Sequence, residues 1–459
     1  MTNWAPDLSA ASGPRYLAIA DRIAKDIAAG ALKPGDRPPP HRDLAWKLGV
    51  TVGTVTRGYT EAERRGLVGG EVGRGTYVRE RPIDAPPPPP ASGRFVDLGR
   101  NFPAEELSAP AIAETIADIG KRGDLTPLLA YAPNIGLPQH RAAGAEWVSR
   151  AQMPATLGEI AVTGGAQHAM TVAMSTVTRP GDAVLTEHLT FYGMKSLGKL
   201  LSLRLQGVAM DDHGLVPDAL DAACRQFAPK ALYCLPNLQN PTTAIMPRER
   251  RAEIAAICKR HGVTIVEDDI YGFLLPDAPP PVSTFAPESA IYLTSLSKSI
   301  APGLRVGFLR APAAMVERLG SALRATTWMA TPLMAEVAAR LISTGKAARL
   351  AAQQREEAVA RQAIARRVLA DLDFAGPPTS MHVWLRLPEP WRREEFTAIA
   401  RTRGVGVAPA EAFAVGRAPV PHAARLGLSA AHDRTELEAA LTTLAEILRE
   451  PPDTGSALV

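Results

Sequence analysis

Cysteine is scarce: the 459 residues hold three, Cys224, Cys234 and Cys258, with no CxxC pair and no metal-ligand spacing. A disulfide framework and a cysteine zinc site are thereby excluded, and the three read as reduced, buried thiols. There is also no run of eighteen apolar residues, so no membrane-spanning helix is expected. The opening MTNWAPDLSA lacks the basic-then-apolar order of a signal peptide, and a cytoplasmic location is the expectation. Neither an HExxH zinc helix nor a GxxxxGKS/T phosphate loop occurs. His41, His168, His188, His382 and His422 are scattered without metal spacing and read as ordinary surface or core histidines.

What is present is an uneven spread of charge. The whole chain carries 51 Lys and Arg against 47 Asp and Glu, a net +4. Residues 1–82 alone hold about thirteen basic against about nine acidic side chains, so the excess sits there and the remainder is near neutral. A polyanionic partner is therefore expected at the N-terminal end. The length suggests about three structural units.

The sharpest boundary is IDAPPPPPASG, Ile83–Gly93. Five consecutive prolines exclude helix and central strand and favour an extended, semi-rigid spacer. Before it, Tyr16, Ile19, Ile23 and Ile27 recur at helical spacing, with Lys33-Pro34-Gly35 as a stop. A second short helix carries Arg42, Leu44, Ala45 and Leu48 up to Gly49, and Thr51 is the expected N-cap of a third through Val55, Tyr59 and Ala62. Leu67-Val68, a GGEVGRG turn and Thr76-Tyr77-Val78 then read as a hairpin. That order is a winged helix-turn-helix.

Beyond the spacer, short apolar runs alternate with helical stretches. Ile160–Val162, Ala183–Leu185, Leu232–Cys234, Thr264–Val266 and Ile291–Leu293 read as strands of an α/β domain around a mostly parallel sheet, whose ligands gather at strand carboxyl ends. After Val162 comes TGGAQHAM, where glycines turn the chain into a helix with free N–H groups; alone, this fits a plain helix start equally well. After Cys234 comes LPNLQNPTT, in which Asn240-Pro241 by itself reads as a turn. After Val266 comes EDDIYG, three acids at a buried strand end, where at least one is expected to meet a positive group.

The fourth strand end is SLSKSIAPGLRVGF, Ser295–Phe308. Lys298 there is either an incidental loop charge or a nucleophilic amine beside the anion site that Ser295 and Arg305 would make. A lysine amine condenses with an aldehyde to a Schiff base. Pyridoxal 5′-phosphate is an aldehyde that also demands a phosphate site and an acid for its ring nitrogen, and these strand ends hold a candidate for each. The arginine-rich Arg355–Arg367 reads as a solvated helix face with i,i+4 pairs.

In these ordered motifs, residues 95–450 resemble the fold type I pyridoxal-phosphate enzymes of the aminotransferase class I/II kind. The resemblance implies that Lys298 is the catalytic lysine bonded to the cofactor, and that Asp268 pairs with its pyridinium nitrogen. Tyr271 and Asn240 would hydrogen-bond the 3′-oxygen. Arg305, Ser295 and the backbone at Gly165, Ala166 and Gln167 would hold the phosphate, and Phe191, in TEHLTFYG, would stack on the ring. Arg425, in ARLGLS, resembles the arginine that grips an amino acid's α-carboxylate. Tyr131, in YAPNIGLPQH, resembles a tyrosine given to the neighbouring subunit's phosphate, which implies a homodimer.

The stretch Gly30–Val78 independently resembles the winged helix-turn-helix of the GntR family. Joined, the two resemble the MocR subgroup of transcription regulators. By position, Arg42, Thr51, Thr54 and Arg57 would face DNA, with Arg74 and Gly75 at the wing tip. Pro38-Pro39-Pro40 stands where the family usually has Leu-Pro-Ser, and Thr51-Val52 where Ser-Arg is common, so one frequent guanine reader is missing. Asn240-Pro241-Thr242-Thr243 replaces Asn-Pro-Thr-Gly.

The expected organisation is a winged helix-turn-helix over 1–80, a proline-rich linker over 81–95 and a pyridoxal-phosphate effector and dimerisation domain over 96–459. That last domain would have a large part at about 130–360 and a small part at about 370–450. The expected function is a pyridoxal-phosphate-dependent regulator that binds a double-stranded DNA operator and responds to an amino compound or to the cofactor. The rival is a working aminotransferase, because both share the amine-to-aldehyde step. A third reading, a domain that has lost the cofactor and only dimerises, is opposed by the intact Lys298, Asp268 and Arg305.

Overall fold

Apolar periodicity builds the first unit. In the computed structural model, which describes residues 4–6, 14–28, 31–32, 35–64, 67–71, 75–78, 95–121, 125–416 and 418–450, the helix Arg15–Ala28 buries Ile19, Ala20 and Ile23. These pack with Val55, Tyr59 and Ala62 of the helix Val52–Arg64 and with Leu44 and Ala45 of the helix His41–Leu48. Each such aliphatic side chain withdrawn from water contributes about 1.5–3 kcal/mol. The short helix ends at Gly49, whose left-handed backbone (φ 60°) returns its N–H to the last carbonyls. Thr51 caps the next helix, its hydroxyl accepting from the Thr54 N–H at 3.2 Å. The triple proline is seated by Tyr59, whose buried hydroxyl donates to the Pro39 carbonyl at 2.8 Å. A hairpin of Val68–Glu71 against Gly75–Val78 completes the unit, while Arg74 lies outside the described residues.

The chain divides into this unit, Met1–Pro89, and a second one, Pro90–Val459. The second is built on a seven-stranded sheet. From edge to edge its strands run Ile160–Thr163, Gly307–Arg310, Ala290–Ser295, Thr264–Asp268, Ala231–Cys234, Ala183–Glu187 and Arg204–Val208. Only Gly307–Arg310 runs antiparallel to its neighbours. The strands Ile160–Thr163, Ala183–Glu187, Ala231–Cys234 and Ala290–Ser295 are buried on both faces along their whole length, as a helix-covered parallel sheet requires. Their carboxyl ends therefore open on one side, and the candidate motifs follow directly.

A smaller four-stranded sheet, ordered Phe374–Ala375, His382–Arg386, Ala423–Gly427 and Ala408–Pro409, carries the helices Arg393–Thr402 and Arg434–Arg449. Between the sheets runs a strap, residues 95–104. Val96–Asp97 pairs with Val405–Gly406, and the Gly427 N–H donates to the Leu98 carbonyl at 2.7 Å. The Arg355–Arg367 stretch, expected to be solvated, is partly interior. Arg361 is 2 % exposed and donates to the Leu428 and Ala431 carbonyls, both at 2.9 Å, besides its i,i+4 partner Glu357. Spacing showed the pair and gave no sign of the carbonyls.

A Cβ at position 427 would fall on the Arg100 carbonyl oxygen of the strap, a backbone atom with little room to yield. Gly427→Ala is accordingly expected to lower unfolding stability by about 1–3 kcal/mol, read from chemical denaturation.

Candidate active site

The site assembles where four strand ends meet the strap. Strand Thr264–Asp268 delivers Asp268, 3 % exposed, whose Oδ2 accepts from the Tyr233 hydroxyl at 2.7 Å. Its Oδ1 is buried with no partner. Burial raises the carboxyl's pKa to about 7, and the neighbouring Asp269 adds to the rise. Strand Ala290–Ser295 leads to Lys298, whose amine contacts the Asn101 carbonyl and lies 5.9 Å from the Phe102 ring. Burial first, then Arg425, lowers the amine's pKa from 10.5 to about 8, against the pull of Asp268.

The positive group expected at the acid triplet acts on Asp268, which feels the Lys298 charge, while its two neighbours are hydrogen-bonded by neutral donors. Glu267 accepts from the N–H groups of Val282 and Ser283 and from the Ser283 hydroxyl at 2.6 Å. Asp269 accepts from Asn237 at 3.0 Å and from the Tyr292 hydroxyl at 2.7 Å, and the buried Arg251 reaches it only through Asn237. Among the described residues none of the three acids forms an ion pair, because each sits within reach of rigid backbone or hydroxyl donors that cost no second buried charge.

An anion cradle forms at the start of the helix Ala166–Val177. Gly165 adopts φ 91° and ψ 173°, a conformation open to glycine, and a Cβ there would lie 2.7 Å from the Arg305 guanidinium. Arg305 donates to the Gly164 carbonyl at 3.0 Å, and the N–H groups of Ala166 and Gln167 belong to the unbonded first turn. Ser295 is 1 % exposed and accepts from the Ser297 N–H at 3.3 Å. It borders a separate cavity of about 270 Å³ that Asn237 and Asp269 also line. Phe191 precedes the helix Tyr192–Leu200, and Gly193 leaves room for both its ring and the Gln167 amide.

Arg425 is 1 % exposed, donates to Asn240 Oδ1 at 2.9 Å and to the Gly99 carbonyl at 2.5 Å, and keeps a buried Nε with no partner. Thr243, where the resemblance has glycine, keeps a left-handed φ of 66°, a strain of about 1–3 kcal/mol. Tyr131 stands apart, 83 % exposed, its ring 5.6 Å from that of Trp328. In the first unit Arg42, Thr51 and Arg57 are exposed and Thr54 is half-buried; Gly75 opens the second hairpin strand.

The sequence reading left out Asn101 and took His168 and His382 for ordinary surface or core histidines, yet all three bear on the site. Asn101 donates to the Tyr271 hydroxyl at 2.9 Å, and its Oδ1 is buried without a partner. His382 lies fully buried beside Tyr271, ring centroids 5.5 Å apart. His168 accepts the Gly164 N–H on Nδ1 at 3.0 Å and contacts Thr326 at 2.8 Å, pinning the glycine turn. Only for His168, four residues beyond Gly164 in the quoted turn, was there a local signal.

A pyridoxal phosphate fits these residues. The bare Asp268 oxygen matches a protonated ring nitrogen, the glycine turn with Arg305 matches a phosphate, and the Lys298 amine matches the aldehyde carbon. When bound, that group supplies an electrophilic carbon and an electron-withdrawing ring. The residues' own work would be separable: Asp268 would hold a ring proton, Lys298 would attack as a neutral amine and carry a proton, Tyr271 and Asn240 would meet the 3′-oxygen, and Arg425 would orient a carboxylate.

Such a sheet and such a site define a fold type I pyridoxal-phosphate protein. Residues 94–444 match the aminotransferase class I and II family, and the chain belongs to it. Residues 15–78 match the bacterial regulatory proteins of the gntR family, so the whole has the MocR-like architecture. The chain is 29% identical over 453 residues to the uncharacterized HTH-type transcriptional regulator YdeF of Bacillus subtilis, covering 97% of each. It is 28% identical over 323 residues to 2-aminoadipate transaminase of Thermus thermophilus, covering 68% of this chain and 78% of that enzyme. The crystal structure of LysN, an alpha-aminoadipate aminotransferase from Thermus thermophilus, holds N-(5′-phosphopyridoxyl)-L-leucine. It superposes with a TM-score of 0.71 at 25% identity over 77% of this chain and 92% of that one.

The lowered amine pKa sets a pH dependence. Only neutral Lys298 attacks the aldehyde, so the rate of covalent pyridoxal phosphate capture should rise with pH and level off above about 8, well below the ordinary lysine value of 10.5. Stopped-flow absorbance of cofactor uptake measures the profile, and Lys298→Ala is expected to retain no borohydride-fixable cofactor.

Proposed function

We propose that this chain is a homodimeric, DNA-binding transcription regulator whose aminotransferase-like unit holds pyridoxal phosphate and responds to an amino compound or to the cofactor itself. The observation that carries the reading is the joining of two complete devices in one chain. One is a winged helix-turn-helix with Arg42 and Arg57 exposed on successive helices. The other sets a half-buried Lys298 among the buried Asp268 and Arg425, with Arg305 at the glycine turn. An enzyme has no use for the first. The HTH-type regulators of similar length support the same assignment.

Lys298 anchors the cofactor, and Arg425 with Asn240 receives the ligand's carboxylate. A ligand biases DNA binding only by the difference in its affinity for the two conformations of the protein. Exposed Leu129, Tyr131 and Trp328 support the homodimer, with Tyr131 available to a neighbouring subunit. Among the described residues no helix is long and apolar enough to cross a membrane, and a cytoplasmic location is part of the proposal.

The test is salt-dependent binding to operator DNA upstream of the protein's own gene. Arg42→Ala should weaken it across sequences and reduce the slope of log K against log salt by about one, read by fluorescence anisotropy. Absence of any preferred site in a genomic pull-down overturns the assignment.

The catalytic reading is favoured by one observation, the unpartnered buried Nε of Arg425 next to an amine that titrates near 8. Steady keto-acid formation from an amino donor and a keto acceptor would establish it. Lys298→Ala should then abolish turnover while leaving binding of the winged helix to DNA intact.

A further inference from the structure

The hydrogen bonds behind Tyr271 have a fixed direction. The Gln239 carbonyl can only accept, so His382 Nε2, 3.2 Å away, carries the ring proton. Burial, reinforced by Arg425, lowers the ring's pKa to about 3, so the second nitrogen, Nδ1, presents a bare lone pair. Asn101 lies 3.3 Å from that lone pair and must offer it a hydrogen, which identifies the near end of the amide as Nδ2. The same nitrogen gives its other hydrogen to the Tyr271 oxygen at 2.9 Å. With a donor already arriving at its oxygen, Tyr271 must direct its own hydrogen elsewhere.

The relay spans separate parts of the unit. Gln239 follows the strand Ala231–Cys234, His382 opens a strand of the small sheet, Asn101 lies on the strap and Tyr271 follows the strand Thr264–Asp268. All four residues are buried, and no exposed group interrupts the chain. A buried chain of this kind is retained at a desolvation cost unless each member is satisfied; apart from Asn101 Oδ1, which is buried without a partner, its open end is the Tyr271 proton.

We propose that Asn101 and His382 are positioning residues that aim the Tyr271 hydroxyl hydrogen at the ring oxygen of bound pyridoxal phosphate. The inference rests on the reading that this site holds that cofactor. A donated hydrogen stabilises the oxygen's negative charge once the proton it shares with the Lys298 nitrogen has left, so the bound cofactor loses that proton at lower pH than it would without the relay. The charged groups facing Tyr271 are Arg425 and Asp268, with Tyr192 as a further titratable neighbour, and those facing His382 are Arg425 and Lys298. None of them changes in the variants below.

The experiment is a pH titration of the visible absorption of full-length protein reconstituted with pyridoxal phosphate. Asn101→Ala and His382→Phe should each raise the midpoint by about one unit, the scale of a hydrogen bond to a charged group. His382→Gln, which keeps a donor and an acceptor, should restore most of the shift. In a Tyr271→Phe background Asn101→Ala should add nothing further, because both changes remove the same donor. Circular dichroism establishes that each variant folds, and His382→Phe serves if Asn101→Ala does not. Cofactor-loaded variants that titrate like the parent overturn the inference, as does a shift that persists in the Tyr271→Phe background. A parent protein with no titrating band overturns the cofactor reading, and the relay with it.

Discussion

A carboxylate at the end of a central strand, sealed from water and satisfied on one oxygen only, is the constraint around which the second unit is organised. Asp268 cannot shed its cost by solvation, since it is 3 % exposed, and Tyr233 meets only half of it. The flanking acids are saturated by hydroxyl, amide and backbone donors, which leaves Asp268 as the one acid of the triplet with an open oxygen. A fold keeps such a group where something else completes it. Lys298, the Gly165 turn and Arg425 lie around the same strand ends because a mostly parallel sheet brings those ends to one side.

Much of this was legible in the sequence, for identifiable reasons. Short β-branched runs separated by amphipathic stretches specify strands and helices locally, and all five expected strands fall in the large sheet. Thr51 acts as the cap its position implied. The site motifs were legible because each directly follows a strand, where chain order alone fixes spatial neighbourhood. The small sheet was placed only as a region, since its strands are short and its pairing, such as His382 opposite Gly427, is set by tertiary packing.

What was missed follows from the same logic. Asn101 and His382 lie 281 residues apart and meet Tyr271 from the strap and from the other sheet. No local pattern distinguishes an interior histidine from one that serves a site. The neutral partners of Glu267 and Asp269 were not foreseen because sequence proximity gives no account of hydroxyl donors such as Ser283 and Tyr292, fifteen or more residues downstream. Arg361 shows the converse: a charged residue on a charge-rich helix that is buried because two backbone carbonyls receive it.

The strap carries one more implication, mechanical in kind. In chain order it comes shortly after the proline run, and it is hydrogen-bonded to the small sheet through Leu98 while touching the reactive amine through Asn101. Within this unit the strap is thereby gripped at two points three residues apart, so the amine and the small sheet share one short stretch of backbone.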